Sequence, residues 1–289
     1  MRWLVTGARG LLGTDLVALL CRLGTEHVVA LGRAALDVRD TAAVAATVAE
    51  HRPDVVVNCA AWTAVDDAET REDEALEING RAVRGLAEAC AEHGARLIQP
   101  STDYVFDGSA HRPYGEDDWA GPIGAYGRTK LAGERAALAY GHTVVRSAWL
   151  YGAHGPNFVR TMMRLAAGRD TVSVVDDQVG QPTWTIDLAG QLVRLARAGA
   201  PPGIYHATSG GETTWCGFAR EIFAALGADQ ARVRPVSTAE FPRPAPRPAY
   251  SVLGHGAWAK IGLTPIPHWR ERFAAAWPDM SGVSGGGAQ

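Results

Sequence analysis

Five short runs, RWLVT (2–6), HVVAL (27–31), DVVVN (54–58), RLIQP (96–100) and TVVRS (143–147), are apolar almost without interruption. A strand with one wet face alternates apolar and polar side chains; a strand covered on both faces has no need to. Between these runs lie longer stretches with apolar residues at helical spacing: GTDLVALLCRL (13–23), TAAVAATVAEH (41–51), EALEINGRAVRGLAEACAEH (74–93) and AYGRTKLAGERAALAY (125–140). Buried strand and helix in repeated alternation predict an α/β chain with a doubly wound parallel sheet.

Beyond residue 152 the regularity fades. TWTIDLAGQLVRLARAG (183–199) reads as one more covering helix and GIYHAT (203–208) as one more strand. FPRPAPRPAY (241–250) holds too many prolines for a regular element. The expected division is therefore a sheet domain from residues 1–151 and 183–208 and a smaller C-terminal lobe from 152–182 and 209–280. Residues 281–289, SGVSGGGAQ, read as a disordered tail.

Composition excludes several classes of function. A net charge of −3 argues against nucleic acid or an anionic membrane as an obligatory partner. No apolar run is long enough to span a bilayer and the N-terminus lacks a signal-like core, so the expectation is a soluble cytoplasmic protein. Cys21, Cys59, Cys90 and Cys216 form no metal-spaced cluster and read as reduced thiols, with Cys21 and Cys90 on apolar helix faces.

The segment VTGARGLLG follows the first strand and opens the first helix. Gly7 would make the tight turn, Gly10 would let backbone approach a pyrophosphate, and Gly13 would let the helix pack on the strand. With Ala8, Leu11 and Leu12 they form the expected dinucleotide loop of a Rossmann-type domain. An acidic residue about 20 positions on would hold the adenine ribose of NAD. The second strand instead leads to Arg33, which suits a 2′-phosphate and favours NADPH, with NADH possible. Asp37 and Val38 would flank the adenine. Ala60 and Ala61 of NCAAWTAVD would admit the cofactor's other side, with Thr63 and Val65 at its ribose.

Only two lysines occur, Lys130 and Lys260, and Lys130 stands four residues after Tyr126. Composition leads one to expect about 0.05 such pairs in this chain, so coincidence is a poor account. On a helix the two side chains share a face. A neighbouring ammonium would lower the phenol's pKa and make it a usable acid and base. Thr102 leaves the fourth strand in PSTDYVFDG and could donate to a substrate carbonyl.

The glycine loop with Thr102, Tyr126 and Lys130 resembles the extended short-chain dehydrogenase/reductases. Within them, STDYVFDG, YGRTKLAGE, SAWLYG, NFVRTM, VVDDQVGQPTW and RPAYSVL are similar to the dTDP-4-dehydrorhamnose reductase family. That resemblance implies NADPH- or NADH-dependent reduction at C4 of a dTDP-4-keto-6-deoxyhexose, in a monomer or homodimer. Tyr126 would protonate the alkoxide, Lys130 would tune it and hold the nicotinamide ribose, and Thr102 would polarise the carbonyl. Asp103, Tyr104 and Trp149 would touch the sugar, and Asn157, Gln178 and Arg247 would face sugar or diphosphate. Asn79 would shape its helix or join a proton relay. Some members bind Mg²⁺; Asp15 matches one ligand position but Ile186 occupies another, so no metal site is carried over.

A 4,6-dehydratase would need Asp-Glu after the threonine, where this chain has Asp103-Tyr104. Nearer alternatives are a sister ketoreductase of a specialised deoxysugar pathway and a non-catalytic NADP-binding regulatory subunit. The Gly254-His255-Gly256 stretch departs from the family's pattern after RPAYSVL.

Overall fold

The computed structural model describes residues 1–282. Its centre is a sheet of six parallel strands: β1 (Arg2–Thr6), β2 (His27–Leu31), β3 (Val55–Asn58), β4 (Arg96–Thr102), β5 (Thr143–Ser147) and β6 (Gly203–His206). Their order is β6-β5-β4-β3-β1-β2, so the chain winds outward from β1 in one direction, then returns and winds the other way. This is the expected doubly wound α/β arrangement.

The helices are α1 (Leu11–Leu23), α2 (Thr41–His51), α3 (Ala82–Glu92), α4 (Ala125–Ala139), α5 (Phe158–Gly168), α6 (Thr185–Arg197), α7 (Trp215–Ala225) and α8 (Trp269–Ser281). Leu12, Leu16 and Leu20 of α1 and Leu188, Leu192 and Leu195 of α6 cover one face of the sheet with Val5, Val57 and Val145. Val44 and Val48 of α2 with Val83 and Leu86 of α3 cover the other, against Leu4, Val56 and Leu97. Apolar side chains on both faces explain why the strands read as continuous runs. Cys21 lies outside the buried stripe of α1 and is exposed, contrary to the expected apolar face; Cys90 is buried.

Residues 72–92 form one continuous helical stretch, as expected of 74–93, but not a regular α-helix throughout. A turn of α-helix at Glu72–Leu76 passes into a π-helical turn at Glu77–Arg81 before α3 begins. The wider turn changes the direction in which Asn79 projects. Asn79 accepts from the Trp62 backbone N–H (2.9 Å) and donates to the Trp62 carbonyl (3.1 Å) and Thr129 Oγ1 (3.1 Å). It therefore clamps the loop after β3 onto α4.

The region beyond residue 152 is more regular than its sequence suggests. Three helices, α5, α7 and α8, share a separate core of Val159, Met162, Phe218, Ile222, Trp269 and Phe273. The short strands Val172–Val175 and Val233–Val236 pair in parallel, the second with Pro235 inside it. Such brief strands and a proline within α8 at Pro278 leave little periodicity to detect. Ser281, placed in the expected tail, closes α8, and Gly282 caps it at φ 71°. The rest of that expectation lies outside the described residues.

The most buried ion pair joins α4 to β5. Glu134 accepts from Arg146 Nε (2.9 Å) and Nη2 (2.7 Å), and neither side chain reaches solvent appreciably. Arg146 also lies over the Phe106 ring, 4.9 Å from its centroid. Removing one partner strands a buried charge, so Glu134→Ala is expected to lower unfolding free energy by about 3–5 kcal/mol. Urea denaturation checks this; a midpoint equal to wild type contradicts it.

Candidate active site

The carboxyl ends of β1, β3 and β4 are joined by a polar stitch. Thr6 Oγ1 donates to Asn58 Oδ1 (2.6 Å), and Asn58 Nδ2 donates to Gln99 Oε1 (2.8 Å). Above this edge Gly7 takes φ +59°, and a Cβ there would lie 2.4 Å from the Ala60 nitrogen. Gly13 is equally constrained, since its Cβ would meet the Gly7 carbonyl at 2.4 Å. These glycines bring the β1 and β3 turns into backbone contact. They open a cleft of about 260 Å³ lined by Gly7, Gly10, Arg33, Asp37, Val38 and Ala60 among others.

Gly10 begins α1 and no side chain caps the helix N-terminus. Free backbone N–H groups and the helix dipole there suit an anion such as pyrophosphate. The shape and the donors fit a dinucleotide. Ala8 donates its N–H to Leu31 and so ties the loop to β2. Leu12 turns its side chain into the core, leaving only its backbone for a ligand, while Leu11 is half-buried. Asp37 is paired with Arg39, whose guanidinium holds the carboxyl at about 2. Arg33 is exposed at the cleft. Ala61 lines the cleft, whereas Thr63 is exposed outside its lining and Val65 lines a pocket beside Tyr126.

Thr102 ends β4 and passes into a 3₁₀ turn at Asp103–Val105. Helix α4 lies against this turn because Gly127 has no side chain: a Cβ would fall 2.1 Å from the Tyr104 carbonyl. Near the middle of the helix, Gly133 would bring a Cβ 2.1 Å from the Asn79 carbonyl. The start of α4 is held by Glu69, which accepts the Ala125 N–H at 2.7 Å. Tyr126 is thereby set edge-on to Tyr104, ring centroids 6.0 Å apart. The Thr102 hydroxyl and the Asp103 carboxyl both bear on the Tyr126 phenol, with opposite effects on its pKa.

Tyr126 and Lys130 share a face of α4, but the lysine does not set the phenol's pKa in the expected way. Burial raises the phenol above its ordinary value and Asp103 raises it further, with Thr102 opposing. Lys130 is buried and its Nζ donates to the Pro100 carbonyl at 2.7 Å. Its ammonium acts on Cys59, a residue lining the glycine cleft. The lysine thus lies between the tyrosine's helix and the cleft. A raised phenol stays protonated at neutrality but is a weaker acid than a free one.

The expected sugar contacts separate into two groups. Tyr104 and Arg247 stay near Tyr126: the Arg247 guanidinium opposes the burial that raises the Tyr104 phenol, and it pairs with Asp66. Trp149 takes φ +47°, unusual for a side-chain-bearing residue, and stacks on Trp215 at 3.6 Å between centroids. The other group is committed to the protein. Asn157 caps α5 by accepting from the Arg160 N–H (3.1 Å) and donates to the Gly152 carbonyl (2.8 Å). Gln178 donates to Thr238 Oγ1 at 2.9 Å. Asp103 is buried away from solvent and accepts from Thr102 Oγ1 (3.0 Å) and Ser251 Oγ (2.5 Å).

Sequence reasoning passed over Gly127, Asp66, Glu69 and Ser251. Gly127 was visible inside AYGRTK as the one residue there able to accept a close backbone. The other three act across more than 50 positions of chain, with nothing local to mark them. Asp15 is buried beside Thr185 and His154. Among the described residues no group of three His, Cys, Asp or Glu could hold a metal. No helix among them is long and apolar enough to cross a membrane.

A family model for the RmlD substrate binding domain matches residues 1–281. The chain belongs to this family. A dTDP-4-dehydrorhamnose reductase of Streptomyces griseus is 56% identical, the match covering 98% of this chain and 95% of that one. A dTDP-4-keto-6-deoxy-D-glucose reductase of Streptomyces niveus is 55% identical, with 96% of each covered. The crystal structure of a Bacillus anthracis dTDP-4-dehydrorhamnose reductase in complex with NADP superimposes with a TM-score of 0.90 at 37% identity. It covers 96% of this chain and 98% of that one.

The buried lysine generates a pH prediction. Burial lowers Lys130 from 10.5 to about 8, with Glu134 opposing. Between those values the unfolded amine holds more protons than the folded one, so this group makes stability rise with pH. The stability of wild type minus that of Lys130→Met, from urea titrations, should climb from about pH 8 towards 10.5. A flat or falling difference contradicts the assignment.

Proposed function

We propose that the chain reduces the C4 keto group of dTDP-4-dehydro-L-rhamnose to dTDP-L-rhamnose, using NADPH and accepting NADH. The observation that carries this reading is the convergence of Thr102, Tyr126 and Lys130 at the end of β4, beside the glycine cleft. The relatives' names support the sugar nucleotide, and the NADP complex of one supports the cofactor.

The cleft residues Gly7, Gly10, Ala60 and Ala61 would receive the dinucleotide, with Arg33 at the adenosine 2′-phosphate. The reduced nicotinamide supplies hydride to the keto carbon. Tyr126 donates its proton to the substrate oxygen as negative charge develops there. Lys130 holds the nicotinamide ribose. Thr102 orients the reacting oxygen against the phenol, and Arg247 reaches the diphosphate. The lobe of residues 152–182 and 209–280, with Trp149 at its border, takes the sugar nucleotide. Every residue invoked belongs to one chain, so the reading holds for a monomer or a homodimer in the cytoplasm.

The niveus relative favours a second reading, in which the 4-keto-6-deoxy sugar has another configuration. NADPH oxidation with dTDP-4-dehydro-L-rhamnose and with dTDP-4-keto-6-deoxy-D-glucose, each product identified by NMR, separates the two. Tyr126→Phe should lower kcat by roughly 10²–10⁴-fold while NADPH binding persists. No turnover of either sugar by wild type defeats the reductase reading. Arg33→Ala should weaken NADPH binding by roughly tenfold and leave NADH nearly unchanged. Equal losses for both would remove Arg33 from the 2′-phosphate.

A further inference from the structure

The prolines of FPRPAPRPAY leave residues 242–248 with few backbone donors and no ladder to hold them. The far end of this segment is fixed by packing and by one strand-like bond. A Cβ on Gly108 would lie 2.5 Å from Pro248 Cβ, and the Ala249 carbonyl accepts the Val179 N–H at 2.8 Å. The near end depends on a single carboxylate. Asp66, which closes NCAAWTAVD, accepts from Arg243 Nε on Oδ2 (3.0 Å) and from the Ala245 N–H on Oδ1 (3.2 Å). Arg247 Nη1 donates to the same Oδ1. Among the described residues, no other carboxylate or carbonyl outside the segment accepts from residues 243–247.

The two arginines use Asp66 differently. Arg243 gives it Nε and Nη2, the forked edge of its guanidinium, and its side chain is 52% exposed. Arg247 is 14% exposed and gives it only Nη1, whose other hydrogen goes to the Ala245 carbonyl at 2.6 Å. A guanidinium carries five N–H groups in one plane. With both hydrogens of Nη1 engaged the plane of Arg247 is fixed, while Nε and Nη2 have no carboxylate or carbonyl partner among the described residues. Their edge is the one that pairs with two phosphate oxygens at once. The guanidinium bears on the Tyr104 phenol, and Tyr104 lines a pocket with Tyr126, Val65, Ala245 and Pro246.

We propose that Asp66 is the positioning residue of the sugar-nucleotide site. It holds Arg247 by one nitrogen so that the Nε–Nη2 edge stands ready for the substrate's diphosphate. This rests on the reductase reading, in which Arg247 reaches that diphosphate. Asp66 itself touches no substrate. An arginine already fixed surrenders little side-chain freedom when the phosphates arrive.

The electrostatics agree with the geometry. Burial works against the Asp66 carboxylate, yet Arg247, the Ala245 N–H and Arg243 hold it below its ordinary pKa, so it is charged at neutrality. One carboxylate between two guanidinium groups cannot neutralise both, and a diphosphate can meet the remainder. Glu69, the other carboxylate at that pocket, is engaged by the Ala125 N–H.

Calorimetric titration of the NADPH-bound protein with dTDP tests this without turnover. Asp66→Ala should weaken dTDP binding by roughly tenfold to thirtyfold, the cost of ordering a freed arginine. Arg247→Ala should lose at least as much, and the double variant should stay within about threefold of Arg247→Ala alone. Arg243→Ala cuts a tie of the same segment without freeing Arg247, so its loss should stay below about threefold. Asp66→Asn keeps an acceptor for Nη1 and should lose less than Asp66→Ala. In turnover, KM for the keto sugar should rise with the dTDP loss while kcat stays within about threefold and NADPH affinity is retained. Unchanged or tighter dTDP binding by Asp66→Ala overturns the inference, making Asp66 a bystander or a mask on the arginine's charge. Losses that multiply in the double variant, or an Arg243→Ala loss equal to that of Asp66→Ala, overturn it in favour of general anchoring of the segment. Wild-type dTDP affinity in Arg247→Ala would instead remove Arg247 from the diphosphate. Wild type that binds dTDP but reduces no keto sugar would count against the reductase reading alone.

Discussion

The site depends on how closely one helix can approach the ends of two other elements. At Gly127 and Gly133 the surface of α4 is reduced to backbone, and carbonyls of Tyr104 and Asn79 occupy the space a methyl group would need. Closely packed interiors do not yield by an ångström to admit an extra carbon. These two contacts fix α4 against both the turn after β4 and the π-turn before α3. Tyr126 and Lys130, one and three residues from the nearer glycine, are positioned as a consequence. Their geometry is thus set by what the neighbouring residues lack.

Much of this was legible in the chain because the signals were local. Parallel strands announce themselves as unbroken apolar runs, and the Gly7-Gly10-Gly13 spacing together with Tyr126 and Lys130 lies within single turns of structure. Partners joined only by folding were not legible. Asp66 meets Arg247, and Asp103 meets Ser251, across most of the sequence. The second core failed to show for a different reason: its helices are separated by two- to four-residue strands that repeat too briefly to carry a period. Asn79 illustrates a third limit. Its spacing fits a regular helix, and only the π-turn re-aims it towards Trp62.

The C-terminal segment is tied into the site by charge and hydroxyls as well as by apolar packing of Val252 and Leu253. Arg243 and Arg247 share Asp66, and Ser251 reaches Asp103. The departure at Gly254-His255-Gly256 sits directly after these ties and is itself well anchored. The His206 ring bonds to the Gly254 carbonyl, and the His255 ring bonds to Thr208. Burial lowers His206 to about 3 and His255 to about 4, so both rings are neutral at working pH. The unusual sequence leaves the segment on the sheet edge without adding charge to it.

Two buried carboxylates, Glu134 on the tyrosine helix itself and Asp103 in the turn after β4, are treated by the fold in opposite ways. Glu134 receives a bidentate arginine, so its negative charge is compensated inside the protein. Asp103 receives only hydroxyls and backbone donors, and its charge stays costly. A buried carboxylate supported only by neutral donors can gain or lose a proton for a small change in free energy. The same contrast bears on their neighbours. Glu134 opposes the desolvation of Lys130 and helps keep it charged. Asp103 raises the phenol of Tyr126 and helps keep it protonated. Burial alone would drive both groups to their neutral forms. Glu134 opposes that drive at Lys130 and preserves its ammonium, whereas Asp103 adds to burial in keeping the Tyr126 phenol protonated.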